Sequence, residues 1–332
     1  MLVSEFNYNL PEERIAKYPP KERGTTRLLV LDRKSGEMKD AKYAELDQFL
    51  EPGDVVVLND TKVMPSRLRA QLADGREREL MVLERHGTES ERVMYRGKLH
   101  EGDLLSVGEA KIAVTKLLGG GIAEVECGTP LSVLAERSGT VPLPPYLHRE
   151  AEASDRERYQ TVWARETGSA AAPTASLNMT EALLGRLKDK GVVVTNLTLH
   201  VGLGTFLPIR TEVVEEHKMH SEWYHIPEET LACLRKAKAE GHRVVAVGTT
   251  VARTLEYYAK TGRTEGEDDI FIYPGVEFLI VDALVTNFHA PKSTVLMLAS
   301  AFAGWDNLRR AYDYAVAHGY NFLSYGDSML IC

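Results

Sequence analysis

"HRVVAVGTTVARTLEYYAK", residues 242–260, decides the fold. The apolar run "VVAV" is a buried strand, and the "VARTLEYYAK" that follows is a helix opened by Thr249 or Thr250. The same alternation extends on both sides. "VVVTNLTLHV" (192–201) reads as a long strand, and "EETLACLRKAKAEG" (228–241) as a helix closed by Gly241. "FLIVDALVTNFH" (278–289) is a strand and "STVLMLASAFAG" (293–304) a helix. Upstream, "TEALLGRLKDKG" (180–191) is a helix with Thr180 as N-cap and Gly191 as stop. Strands alternating with helices predict an α/β fold: a mostly parallel sheet with flanking helices.

The N-terminal part supplies more of this body. "RLLVLDR" (27–33) is strand-like and "KSGEM" turns it. "YAELDQFLEPGD" (43–54) is a short helix, and "VVVLNDT" (55–61) a buried strand. From about 65 to 130 the texture changes. "RLRAQLA", "RELMVLER", "RVMYRGK", "DLLSVGE", "AKIAVTKLL" and "GIAEVEC" are short strands punctuated by Gly and charge. That spacing predicts a small antiparallel barrel or sheet. "GTVPLPPYLHRE" (139–150) leads out of it. The expected organisation is an α/β domain of residues 1–64 and 149–332 with an inserted β-barrel domain at 65–148. An ordinary N-terminal β-domain is the alternative.

Composition excludes several classes. The chain has 332 residues, 44% apolar and 27% charged, as in a globular enzyme of one large domain or two. No apolar run reaches membrane-spanning length, and "MLVSEFNYNLPEER" lacks the pattern of a secretory signal. Cys127, Cys233 and Cys332 are widely separated without CxxC spacing. A disulfide framework or thiolate zinc site is not expected, and a cytoplasmic location is. The net charge of −8 argues against an all-round basic surface. One basic stretch stands out: Arg14, Lys17, Lys21, Arg23, Arg27, Arg33 and Lys34, followed by Arg67 and Arg69. It is either a nucleic-acid patch or an ordinary solvated surface.

In open parallel sheets, ligands bind beyond the carboxyl ends of the strands. Those ends read "LNDTK" (58–62), "LHVGLGTF" (199–206), "VGTTVAR" (247–253) and "VTNFHAPKS" (285–293). Gly248 permits a tight turn, the amides of Thr249 and Thr250 favour an anion, and Arg253 can pair with a carboxylate or phosphate. An ordinary capped turn is the simpler alternative. Neither a Walker loop nor a full GxGxxG is present, although Gly202 and Gly204 form a Gly-x-Gly. His289, just past a strand, is either a core-edge hydrogen-bonder or a general acid or base. "EEHKMHSEWYHI" (215–226) holds His217, His220 and His225. A metal site would need ligands on one face. Strand alternation instead puts His220, Glu222 and Tyr224 on one side and Ser221, Trp223 and His225 on the other. His220 with Glu222 then forms an acid–base pair, since a carboxylate favours the imidazolium. A surface strand of paired charges is the alternative.

Taken together, several blocks resemble one family. They are "FNYNLPEERIAKYPPKERGTTRLLVLDR" (6–33), "LEPGDVVVLNDTKVMPSRL" (50–68), "ERYQTVWARETGSAAAPTASLNMT" (157–180), "TLHVGLGTFLPI" (198–209), "HKMHSEWYHI" (217–226), "VGTTVARTLE" (247–256), "VDALVTNFHAPKSTVLMLASAFAG" (281–304) and "YNFLSYGDSML" (320–330). They are similar, in number and order, to the signature blocks of the S-adenosylmethionine:tRNA ribosyltransferase-isomerases of queuosine biosynthesis, along essentially the whole chain. The resemblance implies a bacterial cytoplasmic enzyme that needs no metal and holds no tight cofactor, with S-adenosylmethionine as co-substrate. Its ribosyl moiety would be transferred and isomerised onto 7-aminomethyl-7-deazaguanine at the tRNA wobble position. Epoxyqueuosine-tRNA would form, and adenine and methionine would leave. The fold implied is an α/β domain with an inserted barrel. One departure is plain: where the family pattern has Ala-Gly-Leu-His-Phe-Thr, residues 175–180 read "ASLNMT". Asn178 cannot shuttle a proton near neutral pH, so an acid–base role of the family histidine is lost or moved here, whereas a role in hydrogen-bonding substrate can be kept by Asn.

On that reading, His289 or the His220–Glu222 pair transfers protons. Gly202, Gly204, Gly248, Thr249, Thr250, Arg253 and Asn287 hold S-adenosylmethionine, with Arg253 and the "GTT" amides on the methionine carboxylate. Asn59 and Asp60 meet ribose hydroxyls or the amine of the modified base. Lys21, Arg23, Arg27 and Arg67, with Arg69, meet phosphates of the tRNA anticodon stem-loop. Tyr8, Phe206 and Trp223 are stacking candidates for the wobble base. The chain is expected to act as a monomer away from any membrane. The competing functions are another S-adenosylmethionine-dependent tRNA-modifying enzyme such as a methyltransferase, a metal-dependent hydrolase using His217, His220 and His225, and a non-catalytic RNA-binding protein.

Overall fold

The structure is a computed structural model that describes residues 1–83, 90–202, 204 and 209–332. Its strands, in chain order, are β1 (Arg27–Leu31), β2 (Met38–Lys42), β3 (Val55–Asn59), β4 (Thr61–Val63), β5 (Arg67–Leu72), β6 (Glu77–Val82), β7 (Glu91–Arg96), β8 (Leu104–Val107), β9 (Ala110–Gly119), β10 (Ile122–Cys127), β11 (Glu166–Ser169), β12 (Val193–Leu199), β13 (Glu222–His225), β14 (Val244–Val247), β15 (Glu265–Asp268), β16 (Ala283–Asn287) and β17 (Ser328–Ile331). The helices are α1 (Leu131–Ser138), α2 (Asp155–Arg158), α3 (Glu181–Asp189), α4 (Glu228–Glu240), α5 (Thr249–Thr261), α6 (Thr294–Ala303) and α7 (Trp305–Ala317).

Strand β3 shows why the body forms. Val55, Val56, Val57 and Leu58 are each at most 1% exposed. Val55 and Val57 face one core with Val251, Leu255 and Leu296 of α5 and α6. Val56 and Leu58 face the other with Leu183 and Leu187 of α3 and with Tyr43 and Leu46 of a 3-10 helix. A strand buried on both faces loses the polar–apolar alternation, which is why it reads as a continuous apolar run. Each such side chain contributes about 1.5–3 kcal/mol of burial.

The main sheet has the order β15-β13-β12-β3-β14-β16-β17-β1-β2. Its centre, β12-β3-β14-β16, is parallel. β13 and β15 extend one side antiparallel, and on the other β17 runs antiparallel to β16 but parallel to β1. The parallel sheet expected from the sequence is therefore the core of a mixed one. The barrel closes as β10-β7-β6-β5-β8-β9, all antiparallel. All six of its strands match the short segments read in the sequence. Its core, around Leu68, Leu80, Val93 and Ile112, is capped by Leu131, Leu134 and Ala135 of α1. Chain flanking the barrel on both sides, β4 and β11, pairs in parallel. Val141, Leu143 and Leu147, which follow it, pack with Val63, Tyr159 and Tyr325 instead.

The caps are partly as predicted. Thr180 Oγ1 accepts from Leu183 N and starts α3, and Gly241 ends α4 in the left-handed conformation. Helix α5 differs: its N-cap is Gly248, and Thr249 is already helical. Gly248 has φ 101, a conformation that favours glycine because it has no Cβ. No helix among the described residues is long and apolar enough to cross a membrane.

Candidate functional site

A cavity of about 450 Å³ opens beyond the carboxyl ends of β14 and β16. Its size is that of a small-molecule site, roughly 300–1,000 Å³. Its walls are small and apolar: Ala171, Ala172, Pro173 and Ala175 on one side, Val201 and Leu323 on others. Gly248, Thr249 and Thr250 bring the start of α5 to it, and Asn287, His289 and Lys292 come from the turn between β16 and α6.

The two helix starts at this cavity differ. At α6, Ser293 Oγ accepts from Leu296 N and occupies part of the helix end. At α5 no side chain caps the helix, so first-turn amides keep no intrahelical acceptor. Three polar atoms of lining residues are also buried without a hydrogen-bond partner among the described residues: Tyr159 Oη, Thr250 Oγ1 and Asn287 Nδ2. An unmet buried polar group costs about 1–3 kcal/mol, so three around one cavity point to a ligand that satisfies them. Burial keeps the Tyr159 phenol protonated, with its pKa well above the ordinary value. Thr174 Oγ1 donates to Asn287 Oδ1 at 2.9 Å, which fixes the amide and leaves Nδ2 as the unmet donor.

His289 lines this cavity. Its Nε2 is 2.7 Å from Thr286 Oγ1. Burial pushes its pKa down to about 3, so the ring is neutral at physiological pH and acts as a hydrogen-bonding group. Lys292 was not among the expected site residues. It is exposed at the cavity, and its backbone is left-handed with φ 58, anchored by its N–H to Phe6 O at 2.9 Å. Such a conformation in a non-glycine costs about 1–3 kcal/mol and is concentrated at functional sites. Tyr159 and Thr174 were also missed. The only hint was the small-residue run "SAAAPTAS" (169–176) beside them, which lets the wall approach closely.

The His220–Glu222 pair forms, but next to this cavity. Nε2 of His220 is 3.6 Å from Oε1 of Glu222. Glu222 lines two smaller cavities, of about 40 and 170 Å³, that share Thr249, Thr250 and Val201 with the large one. Gly202 N donates to Glu222 Oε1 at 2.8 Å, and a Cβ on Gly204 would fall 2.4 Å from the His220 ring. Both glycines thus hold the chain against the pair. Arg253 is a correction. It stands one helical turn beyond the α5 start and does not line the large cavity. Its guanidinium lies between Glu222 and Asp268, with Nε 3.2 Å from Asp268 Oδ2, and the residue is 8% exposed. Burial raises the Glu222 carboxyl, but Arg253 and His220 outweigh it and hold the pKa below the ordinary range. Asp268 is pushed up by burial. The other histidines go elsewhere: His217 stands edge-on to Phe271, and His225 Nδ1 is 3.5 Å from Glu265. Among the described residues no three His, Cys, Asp or Glu side chains gather as metal ligands.

Asn59 and Asp60 are a second correction. Both are buried and spent inside the fold. Asn59 Nδ2 donates to Leu199 O at 2.9 Å, while its Oδ1 accepts from Thr61 N and Leu199 N at 3.1 Å. Asp60 accepts from Arg165 Nε at 2.8 Å and Thr198 Oγ1 at 2.7 Å. They stitch β3 to β12 where the chain leaves the sheet. The basic stretch is largely engaged within the chain. Arg23 donates to Gln160 O and Leu177 O at 2.9 and 2.7 Å. Arg27 pairs with Asp40 at 2.8 Å and covers the Tyr320 ring, and Arg67 pairs with Glu79 at 2.5 Å. Arg69 pairs with Glu150 at 3.0 Å. Lys21 and Lys34 of this stretch are exposed without an ion pair among the described residues. Tyr8 is buried, its hydroxyl donating to His289 O and its ring against Tyr312. Trp223 is half-buried and stacks with His200 at 5.1 Å. Phe206 lies outside the described residues. Asn178 is 2% exposed and donates to Gly326 O at 3.2 Å, away from the cavity.

The profile of a family described as queuosine biosynthesis protein matches residues 3–331. A curated protein of Chlorobium chlorochromatii named S-adenosylmethionine:tRNA ribosyltransferase-isomerase is 58% identical over 341 residues, covering 100% of both chains. One of the same name from Geobacter sulfurreducens is 47% identical over 342 residues, again over 100% of both. Among solved structures, an S-adenosylmethionine tRNA ribosyltransferase of Thermotoga maritima is similar with a TM-score of 0.58 and 35% identity, covering 99% of this chain and 100% of that one.

Proposed function

The chain belongs to the queuosine biosynthesis protein family, and from that premise we propose that its large cavity is where S-adenosylmethionine is bound and consumed. The activity is that of a S-adenosylmethionine:tRNA ribosyltransferase-isomerase. It transfers and isomerises the ribosyl moiety onto 7-aminomethyl-7-deazaguanine at the wobble position of tRNA, giving epoxyqueuosine-tRNA, adenine and methionine. The observation that carries the site is the convergence of three unmet buried polar groups and an uncapped helix start on one apolar-walled cavity.

The roles follow from the surroundings. A base must take the proton on the 5′ carbon that the sulfonium acidifies. His220 is assigned that role, with Glu222 fixing its ring from one side and the space at Gly204 from the other. His289, neutral, is assigned hydrogen bonding to substrate rather than proton uptake. Glu222 is bound to Arg253 and serves as a positioning group. Lys21 and Lys292 are assigned to RNA phosphate, replacing Arg23, Arg27 and Arg67. Trp223, in the wall of the adjoining 170 Å³ cavity, is the stacking partner assigned to the splayed wobble base. Action as a cytoplasmic monomer is part of the same proposal. Domain boundaries near 65 and 148 are assigned, with 141–147 packed on the α/β body.

The test is adenine release from S-adenosylmethionine by His220→Ala and His289→Ala proteins that still bind it. His220→Ala is expected to lose release with binding retained. Release at the normal rate would move the base elsewhere. For RNA, Lys21→Ala/Lys292→Ala is expected to reduce the slope of log affinity against log salt by roughly two. An unchanged slope would reject these contacts.

A further inference from the structure

The carboxylate of the methionyl group needs a partner, and the arginine that the sequence offers is taken. Arg253 is answered by Glu222 and Asp268 and is absent from the cavity wall. The cavity floor holds other donors. Gly248 turns β14 into α5 at φ 101, so that uncapped first-turn amides stand at the cavity. A helix start of this kind favours an anion. Beside it, Asn287 is 2% exposed, with Nδ2 unmet and its oxygen held by Thr174. Thr250 Oγ1 is buried and unmet as well, and an ideal Cβ at Gly248 would lie only 3.5 Å from it.

Resting on the reading that this cavity holds S-adenosylmethionine, we propose that the methionyl carboxylate is bound by neutral donors: Asn287 Nδ2, Thr250 Oγ1 and the first-turn amides of α5. The arrangement suits this substrate. S-adenosylmethionine carries a sulfonium a few bonds from the carboxylate, and a cation beside that sulfonium would repel it; Lys292, which also lines the cavity, is left for RNA phosphate. Neutral donors bind the anion without adding positive charge. Thr174 is the positioning residue that keeps the nitrogen of Asn287, rather than its oxygen, toward the ligand.

The experiment is calorimetric titration of the full chain with S-adenosylmethionine and with its decarboxylated analogue. Asn287→Ala is expected to weaken the first about tenfold, equal to about 1.4 kcal/mol, and to leave the second within twofold. Asn287→Asp places an oxygen against the carboxylate. It is expected to invert the preference, binding the decarboxylated analogue more tightly than S-adenosylmethionine. Thr174→Val, which releases the amide, weakens only the carboxylate-bearing ligand. Thr250→Val, at a half-buried position, gives the same signature should an Asn287 variant fail to fold. Equal weakening of both ligands, or none, overturns the assignment. Val295→Phe in the cavity wall separates this from the premise. Unchanged S-adenosylmethionine binding there means that the cavity is not its site. Lost binding there, without carboxylate-dependent losses at Asn287 and Thr250, rejects the carboxylate contact alone.

Discussion

Arg253→Met tests the ion network next to the site. The substitution keeps most of the side-chain length and removes the guanidinium that α5 presents to Glu222 and Asp268. Both carboxylates are buried, at 4% and 0% exposure. Removing one partner of a buried pair costs about 3–5 kcal/mol, because the remaining charge stays without compensation. Two carboxylates share this guanidinium, and His220 also faces Glu222, but the cost does not double. Asp268 is already pushed toward its protonated form by burial, and in the variant it takes up a proton instead of remaining charged. The expected loss at pH 8 is therefore about 3–5 kcal/mol, a large part of the roughly 5–15 kcal/mol that holds a domain folded. The pH dependence adds a second constraint. In the native protein Glu222 is held below its ordinary value, so its stabilisation is present above the unfolded-state pKa and disappears as pH falls through the native one. In the variant its native value rises above the unfolded one, and the folded chain binds the extra proton. The deficit then grows with pH and shrinks toward pH 5.5. Urea unfolding followed by tryptophan fluorescence at pH 5.5 and pH 8 measures both. A loss under about 1 kcal/mol at pH 8, or a deficit equal at the two pH values, would refute the reasoning.

Other outcomes follow from single contacts. Thr180→Ala removes the hydroxyl that caps α3 and is expected to cost about 1 kcal/mol in the same unfolding assay. Gly204→Ala puts a methyl group where the His220 ring lies. The ring must shift, and adenine release is expected to fall by about 100-fold in single-turnover assays while the melting temperature changes little. His289 is held neutral by burial, so nitrogen NMR of its imidazole is expected to show no titration between pH 5 and 8. Since the unfolded chain protonates this histidine near its ordinary value and the folded chain does so only near 3, its contribution lowers stability as pH falls below about 6.5. In His289→Asn that part of the acid slope is expected to disappear.

Much of the architecture was legible because its signals are local. Apolar runs at 55–58 and 244–247 mark strands buried on both faces, and Thr180 and Gly241 mark helix ends by their own hydrogen bonding and backbone conformation. The barrel strands alternate between a packed and a wet face and announce themselves as short segments. The strand SMLI at the C-terminus and helix α7 went unread. Four residues carry too little pattern to separate a strand from a buried turn, and β17 takes its place between β16 and β1 only through pairings some 45 and 300 residues away in the chain. At the site, strand-end position picked out Gly248, Thr249, Thr250, Asn287 and His289, all of which line the cavity.

From the sequence alone came most strands, helices and turns, though not α7 or β17, and the polar residues at strand ends, because those depend on neighbours a few positions apart. Tertiary structure alone decided which of those polar groups remain available. Asn59 is consumed by Leu199, 140 positions later, and Arg253 by Glu222, 31 positions earlier. Asn287, held by Thr174 from 113 positions away, keeps an unmet donor at the cavity. A side chain's hydrogen-bonding capacity is written in its residue type. Whether the fold spends that capacity or leaves it for a ligand is set by partners that only the packed chain brings together.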